Sequence, residues 1–576
     1  MTAVRMATSD INGVTPNKDE AETLMINKMA PTLYSMDASS PANAVRMFAD
    51  IIGLDLELKH IDLTVAEQKL PEFLKINPIG SIPALKDGDF IVSDSHVIMK
   101  YLLSKYAADQ VESLYPSDVQ TRALVDQAMY FNTGVYFIKL KGVTLPSLFG
   151  DCTETTEKSK KDINDCYKVL EVFLENRKYI AADHLTLADI ALLSTTSSMQ
   201  PIHKLDSENG HIQNISKCRC VKDLGGDLLC EDLAVKDRWR SYFNELLNKQ
   251  HKEVQPPDLP PDQGLVPPVT PAEVQTARRR SRNRKVVGAD GVPIEPWKAM
   301  GPRGVGTLSN LFPRTLYRAD PKPMEAEYYY SSLQRQMQTV LITQPACYIN
   351  KMAPILYSMD ASPPANAVRM FADIIGLDLE LKQLDITVAE HKSPEYLKIN
   401  PIGSIPTLKD GDFVLSESHV IMKYLLSKYA PDQVESLYPS DLQTRALVDQ
   451  AMYFNTGVYF IRLKAVSIPS LFGDFTETPE KSKKDINDCY KVLEVFLENR
   501  KYIAADHLTL ADIALLATTS SMQPIHQLDS EKFPRTAEWL SRLEQESFFK
   551  KIMVPGVELL DKILHSIWER NKQKKL

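Results

Sequence analysis

"LYSMDASSPANAVRM" occupies residues 33–47, and "LYSMDASPPANAVRM" occupies residues 356–370. Each begins as a short apolar run, passes through a polar turn to a serine, and continues with proline and apolar residues at helical spacing. That is a strand running into a helix, with proline in the first turn, where its missing N–H is not needed. Gly376 suits the helix stop. Outward from the second stretch, "LELKQLDI" alternates as a strand and "TVAEHKSPEYLKIN" is polar and weakly helical. "IGSIPTLKDGDFVLSES" holds two short strands around the turn Asp410-Gly411-Asp412, and "SESHVIMKYLLSKYA" is a helix. The order β-α-β-α-β-β-α predicts an α/β layer with a mixed sheet. Beyond Pro439 the sequence turns helical. "SDLQTRALVDQAMYFNTGVYFIRLKAV" reads as one long amphipathic helix and "TPEKSKKDINDCYKVLEVFLENRK" as another. "LTLADIALLATTSSM" reads as a buried helix, with Thr509 and Asp512 in capping-box spacing.

The repetition extends far past fifteen residues. Residues 29–208 recur as 352–531 at a constant offset of 323, with 22 differences over 180 positions and no gap. Units this long are self-contained rather than solenoid repeats. The copies end differently. After Glu531 the chain continues through a helical segment with amphipathic spacing at Trp539, Leu540, Leu543 and Phe548; after Glu208 it does not. The first copy should therefore leave apolar surface uncovered. The predicted organisation is an extension (1–28), an α/β domain (29–112), a truncated helical domain (113–208), an insert (209–348), a second α/β domain (349–435) and a complete helical domain (436–576).

With 44% hydrophobic and 25% charged residues the chain reads as globular. A net charge of −8 argues against a whole-chain nucleic-acid binder. No run approaches the ~18 apolar residues of a membrane span, and the N-terminus lacks a signal-peptide apolar core. Seven cysteines, odd in number and without scaffold spacing, point to a reducing, cytoplasmic setting. No CxxC lies in the first α/β motif, which argues against a thioredoxin-type redox protein.

The motifs "LYSMDASPPANAVRM", "NPIGSIPTL", "FVLSESHVIMKYL" and "LTLADIAL", in this order in both copies with small changes, resemble the cytosolic glutathione S-transferases, nearest to the insect delta and epsilon classes. The resemblance implies a thioredoxin-like domain followed by a helical one, twice. It also implies glutathione as co-substrate, small hydrophobic electrophiles as second substrates, a detoxifying role, no metal, and dimerisation, either between chains or as an internal pseudo-dimer. Ser39 and Ser362 would be the catalytic hydroxyls, donating to the glutathione thiolate at a helix N-terminus. Read structurally, each is an ordinary N-cap serine. Ser40 is adjacent in the first copy, but its counterpart is Pro363; Tyr34 and Tyr357 are the tyrosine-type option. Ile82-Pro83 and Ile405-Pro406 fall where the family has a cis-proline whose preceding residue pairs with the glutathione backbone; a strand-edge proline is the plain alternative. By the same resemblance, Asp94-Ser95 and Glu417-Ser418 would hold the γ-glutamyl end, with His96 and His419 as secondary contacts. Ordinary helix capping is the plain alternative. Tyr130 with Phe137, and Tyr453 with Phe460, resemble the aromatic lining of the electrophile site, though core packing would use the same residues. In one departure, Gly80 and Gly403 stand where the related insect enzymes carry a histidine, which removes a glutathione contact.

Within residues 209–348, "KCRCVKDLGGDLLCEDLAVKDRWRSYFNELLN" and "ARRRSRNRKVVGADGVPIEPWKAMG" resemble the segment leading into the reverse transcriptase of non-LTR retrotransposons, without its paired-aspartate motif. The basic run Arg278–Lys285 reads as a solvated relic, with nucleic-acid binding as the sharper reading. The insert is expected to be largely irregular. Three readings are open: a serine-type transferase acting mainly through the second copy, a non-catalytic binder of glutathione or hydrophobic ligands on the same fold, and a gene-prediction fusion, in which two neighbouring transferase genes are joined across transposon-derived sequence and no single chain is made.

Overall fold

The computed structural model describes residues 30–148, 155–200, 202–203, 221–222, 228–229 and 353–575. The extension and nearly all of the insert, including the basic run, lie outside the described residues. The first α/β domain is built from β1 (Thr32–Ser35), α1 (Ser40–Ile51), β2 (Glu57–His60), a one-turn helix at Pro71–Leu74, β3 (Ala84–Asp87), β4 (Phe90–Ser93) and α2 (Ser95–Tyr106). Strand order is β2-β1-β3-β4, with β1 parallel to β2 and antiparallel to β3. This is the predicted mixed sheet. Leu33 points to the main core with α1 and α2, while Tyr34 points to a small cluster with Ile61, Phe73 and Ala84 on the opposite face. Period-two alternation along β1 produces that division.

The helical domain follows as α3 (Val119–Phe131), a π-turn at Asn132–Tyr136, α4 (Phe137–Leu148), α5 (Glu157–Phe173) and α6 (Leu187–Met199). The single long helix expected from the sequence is therefore two α-helices joined through a π-turn. At the start of α6, Asp189 accepts from the Thr186 amide and hydroxyl at 2.9 and 2.8 Å, and from the Ile180 amide at 2.9 Å. Within the insert, β5 (Val221–Lys222) and β6 (Leu228–Leu229) form a two-stranded antiparallel ribbon.

The second copy repeats this as β7 (Ile355–Ser358), α7 (Pro363–Ile374), β8 (Glu380–Gln383), β9 (Thr407–Asp410), β10 (Phe413–Ser416), α8 (Ser418–Tyr429), α9 (Leu442–Phe454), a π-turn at Asn455–Tyr459, α10 (Phe460–Phe472), α11 (Glu480–Phe496) and α12 (Leu510–Met522). It then adds α13 (Pro534–Glu544), a π-turn at Phe549–Met553 and α14 (Val554–Lys575). Trp539, Leu540, Leu543 and Phe548 are all buried, as their spacing predicted. The Trp539 indole N–H donates to Asp512 at 3.0 Å, adding a fourth bond to the capping carboxylate. Without that ending, Leu193 and Ile202 of the first copy are half-buried, where Leu516 and Ile525 are buried in the second.

The two copies pack against each other around an approximate two-fold axis. The π-turns meet at glycines: a β-carbon on Gly134 would lie 2.8 Å from the Thr456 methyl, and one on Gly457 2.7 Å from the Thr133 methyl. Lys100–Asp126 and Lys423–Asp449 pairs, 2.5 Å each, are cross-linked by Lys100–Asp449 at 3.6 Å and Lys423–Asp126 at 3.9 Å. All four side chains are nearly inaccessible, so each charge depends on the others for the solvation it has lost.

Candidate active site

The chain leaves β7 through Met359–Ala361 and turns into α7 at Ser362, the helix N-cap, with φ −93°. Pro363 and Pro364 occupy the first turn and supply no N–H. The Ser362 hydroxyl takes no capping bond, and the residue is 8% exposed. In the first copy Ser39 is half-buried and its Oγ accepts from the Ala42 amide at 3.4 Å. The C-terminal segment accounts for part of the difference. Gly556 of α14 sits against the turn before Ser362, so that a β-carbon there would lie 2.7 Å from the Asp360 carbonyl oxygen. Lys551, in the preceding π-turn, pairs with Asp373 of α7 at 2.5 Å. The first copy has no such brace among the described residues. There Ser194 Oγ instead donates to the Ser40 carbonyl at 2.6 Å, tying α6 to α1, and Ser40 Oγ lies 3.2 Å from Thr195 Oγ1. Tyr34 and Tyr357 lie on the far face of each sheet, edge-on to Phe73 and Tyr396.

Ile82-Pro83 and Ile405-Pro406 are both cis, immediately before β3 and β9. At the other end of each hairpin, Asp94 and Glu417 have φ of 75°. A non-glycine residue is held there only when its surroundings over-determine it. The neighbouring copy contributes to that. Gln450 accepts from the Ser93 amide at 2.6 Å and hydroxyl at 3.1 Å, while Gln127 accepts from the Ser416 amide at 2.7 Å. Each α3/α9 helix thus grips the residue before the other copy's acidic helix start. The two acids then behave differently. Asp94 caps its own helix, accepting from the His96 and Val97 amides at 2.9 and 3.4 Å, and meets His96 Nδ1 at 3.1 Å. Glu417, one methylene longer, makes no capping bond. Burial raises its carboxyl pKa, and the Lys464 ammonium opposes that rise.

Tyr130 and Tyr453 lie at the copy–copy junction. Their rings are fully buried and stacked on each other across the copy–copy junction, 4.1 Å apart and within 2° of parallel. His96 stacks on Tyr453 at 5.0 Å and His419 on Tyr130 at 5.2 Å, making a column of four rings. His96 and His419 are buried against Asn132/Thr133 and Asn455/Thr456, with ring-nitrogen contacts of 3.1–3.3 Å. Both rings face this junction. Between the aromatics of each pair the π-turn inserts an extra residue, which changes the spacing that an unbroken α-helix would give them. Phe137 and Phe460 are half-buried, with Lys141 and Lys464 each 5.2 Å above the ring. Burial lowers the Lys464 pKa and the Glu417 carboxylate opposes that fall. The lysines, the glutamines and the C-terminal brace were not expected from the sequence. Only the lysines carried a local signal, as cations one turn beyond the aromatics.

Compared with known proteins, the chain is 36% identical over 219 residues to Glutathione S-transferase D7 of Anopheles gambiae, spanning 37% of this chain and 98% of that protein. It is 37% identical over 218 residues to Glutathione S-transferase 1 of Manduca sexta, spanning 37% of this chain and 99% of that protein. The chain belongs to the glutathione S-transferase family. The family's N-terminal domain profile matches twice, at residues 29–104 and 352–427, and its C-terminal domain profile matches residues 450–546. Among solved structures, an epsilon-class glutathione S-transferase from housefly, Musca domestica, is 38% identical over 37% of this chain and 98% of its own, with a TM-score of 0.36. Two transferase N-domains with mixed four-stranded sheets, in tandem, are the architecture of this family member. Among the described residues no group of three or more His, Cys, Asp or Glu is placed to hold a metal. No described helix is long and apolar enough to cross a membrane.

Proposed function

We propose that the chain conjugates glutathione to small hydrophobic electrophiles, as a cytoplasmic detoxifying enzyme, chiefly through its second copy. Ser362 donates its hydroxyl to the glutathione thiolate, lowering the thiol pKa so that the nucleophilic form prevails near neutral pH. Ile405 offers its backbone to the cysteinyl unit. Glu417 meets the γ-glutamyl ammonium, while Ser418 and the start of α8 meet the α-carboxylate. Phe460 lines the electrophile's side. The catalytic work is electrostatic stabilisation and positioning in a partly dry cleft. Ser39 and Asp94 form the corresponding first-copy site.

The observation that carries this reading is the Ser362 hydroxyl, uncommitted to its own helix in a turn braced by α14. Glu417 adds to it, since its carboxylate is likewise free of capping. Steady-state conjugation by the full chain, with Ser39→Ala and Ser362→Ala made separately, tests the assignment. Ser362→Ala should lower kcat/KM by roughly 10²-fold, the typical loss for one preorganised donor, and Ser39→Ala far less. Equal losses would move the main site away from the second copy. Glycine at Gly80 and Gly403 favours the second reading, a non-catalytic binder. Retention on immobilised glutathione without turnover across a panel of electrophiles would establish it.

A further inference from the structure

The ending of the second copy closes a face that the first copy also carries. α13 packs against α11 and α12, and α14 packs against α12. Phe533, Thr536, Trp539, Leu540 and Leu543 are all buried there. Thr536 donates from its amide and its hydroxyl to Glu494 of α11, at 2.6 Å each, and the Trp539 indole donates to Asp512 of α12 at 3.0 Å. In the first copy the same face belongs to α5 and α6. Asp189 is 2% exposed there and, among the described residues, accepts from Ile180 and Thr186 but from no indole. Leu193, one turn further along α6, and Ile202 beyond it are half-buried, where Leu516 and Ile525 are buried. An apolar stripe that continues from a buried carboxylate calls for an aromatic cover with one N–H to donate.

The chain carries such a segment. Residues 233–247 read LAVKDRWRSYFNELL, and Trp239, Tyr242, Phe243, Leu246 and Leu247 follow the i, i+3, i+4, i+7, i+8 spacing of one helical face. Set against α13 at a constant shift of 300, Leu233 falls on Phe533, Trp239 on Trp539 and Phe243 on Leu543. Lys236 falls on Thr536, the residue that donates to Glu494, and the first copy has Glu171 in Glu494's place. A cation thus replaces a hydroxyl donor opposite a carboxylate. Arg240 replaces Leu540, so the match lies in the three apolar anchors and the donor position. Thirty residues separate Ile202 from Leu233, against seven between Ile525 and Phe533, which leaves ample reach. We propose that residues 233–247 dock on the α5–α6 face of the first copy in place of α13, with the Trp239 indole N–H donating to Asp189 and the apolar side covering Leu193. The insert then completes the domain it follows. This is independent of the glutathione reading.

Hydrogen–deuterium exchange of the full chain, read by mass spectrometry in peptides covering 233–247, α6 and α12, tests the docking. Amides of 233–247 should exchange roughly 100-fold or more slowly than free-chain rates. Trp239→Asp/Phe243→Asp should release them and speed exchange in α6 by about 10-fold. α12 should stay as in the wild type, which shows that the variant has folded. Leu193→Asp, on the receiving face, should release 233–247 in the same way. The proposal is overturned if 233–247 exchanges at the free-chain rate in the wild type, if the double variant leaves α6 unchanged, or if Leu193→Asp leaves 233–247 protected. Protection of α6 that rises with protein concentration, alongside a species of twice the mass, would give the face to a second copy of the chain and overturn it as well.

Discussion

One methylene separates Asp94 from Glu417, and it changes what the carboxylate does. The shorter acid folds back onto its own helix amides, whereas the longer one leaves them uncapped. Glu417→Asp should therefore capture the second copy's carboxylate as a cap and raise the KM for glutathione by roughly 10-fold, the scale of one charge-assisted contact, with kcat little changed. Steady-state kinetics with glutathione varied would show it, and an unchanged KM would contradict it. At this scale much of the local backbone geometry was legible. Serine before proline, the "SIP" proline and the acid-serine helix start each carry a local pattern, and each lands where that pattern puts it. That Tyr130 and Tyr453 stack on each other was not legible, because a meeting between copies leaves no mark in residue spacing. Gly80 and Gly403 were legible as a departure, but the lysine filling the space beside each, Lys69 or Lys392, lies eleven residues upstream, joined to it only by the folded loop.

Among the elements, α13 and α14 separate the copies most. Sequence alone showed that one copy had this ending and that its apolar spacing required a surface to pack on. It did not show that the ending reaches the turn before Ser362 through Gly556, or that Trp539 completes the bonding of Asp512. Both are long-range meetings with no periodicity to announce them. Trp539→Phe keeps an aromatic ring, though a smaller one, and removes the donor from a carboxylate that is fully buried. It should cost about 1–3 kcal/mol in the unfolding of the second copy by urea. Loss of less than ~0.5 kcal/mol would mean the capping box alone satisfies Asp512.

Across the whole molecule, the sequence left open whether the copies pair within one chain or between chains. The structure pairs them within, through Gly134 and Gly457, the buried charge square and the four stacked rings. Sedimentation should accordingly give a 64.9 kDa monomer, and a species of twice that mass at micromolar concentration would contradict internal pairing. The junction should also be acid-sensitive. Burial, and after it the Lys423 charge, pushes His419 down to about 3, whereas an unfolded imidazole titrates near ~6.5. Protons therefore favour the unfolded state: the stability from neutral His419 is whole above about pH 6.5 and is lost progressively as pH falls toward 3. Asp449 resists longer. Burial alone would raise it, but Lys100 and Lys423 outweigh that and hold it at about 2. Thermal melts should show a lower Tm at pH 5 than at pH 7.5, and His419→Gln should shrink the difference; an unchanged difference would place the sensitivity elsewhere.

The central claim is that Ser362 lowers the pKa of a bound glutathione thiol. Its most direct test is the pH dependence of kcat/KM for conjugation, in the Ser39→Ala chain with and without Ser362→Ala. Removing Ser362 should lower the plateau and move the rising limb upward by about 1–2 units, toward the ~8.5 of a free cysteine thiol. A limb that stays in place, with undiminished turnover, would contradict it.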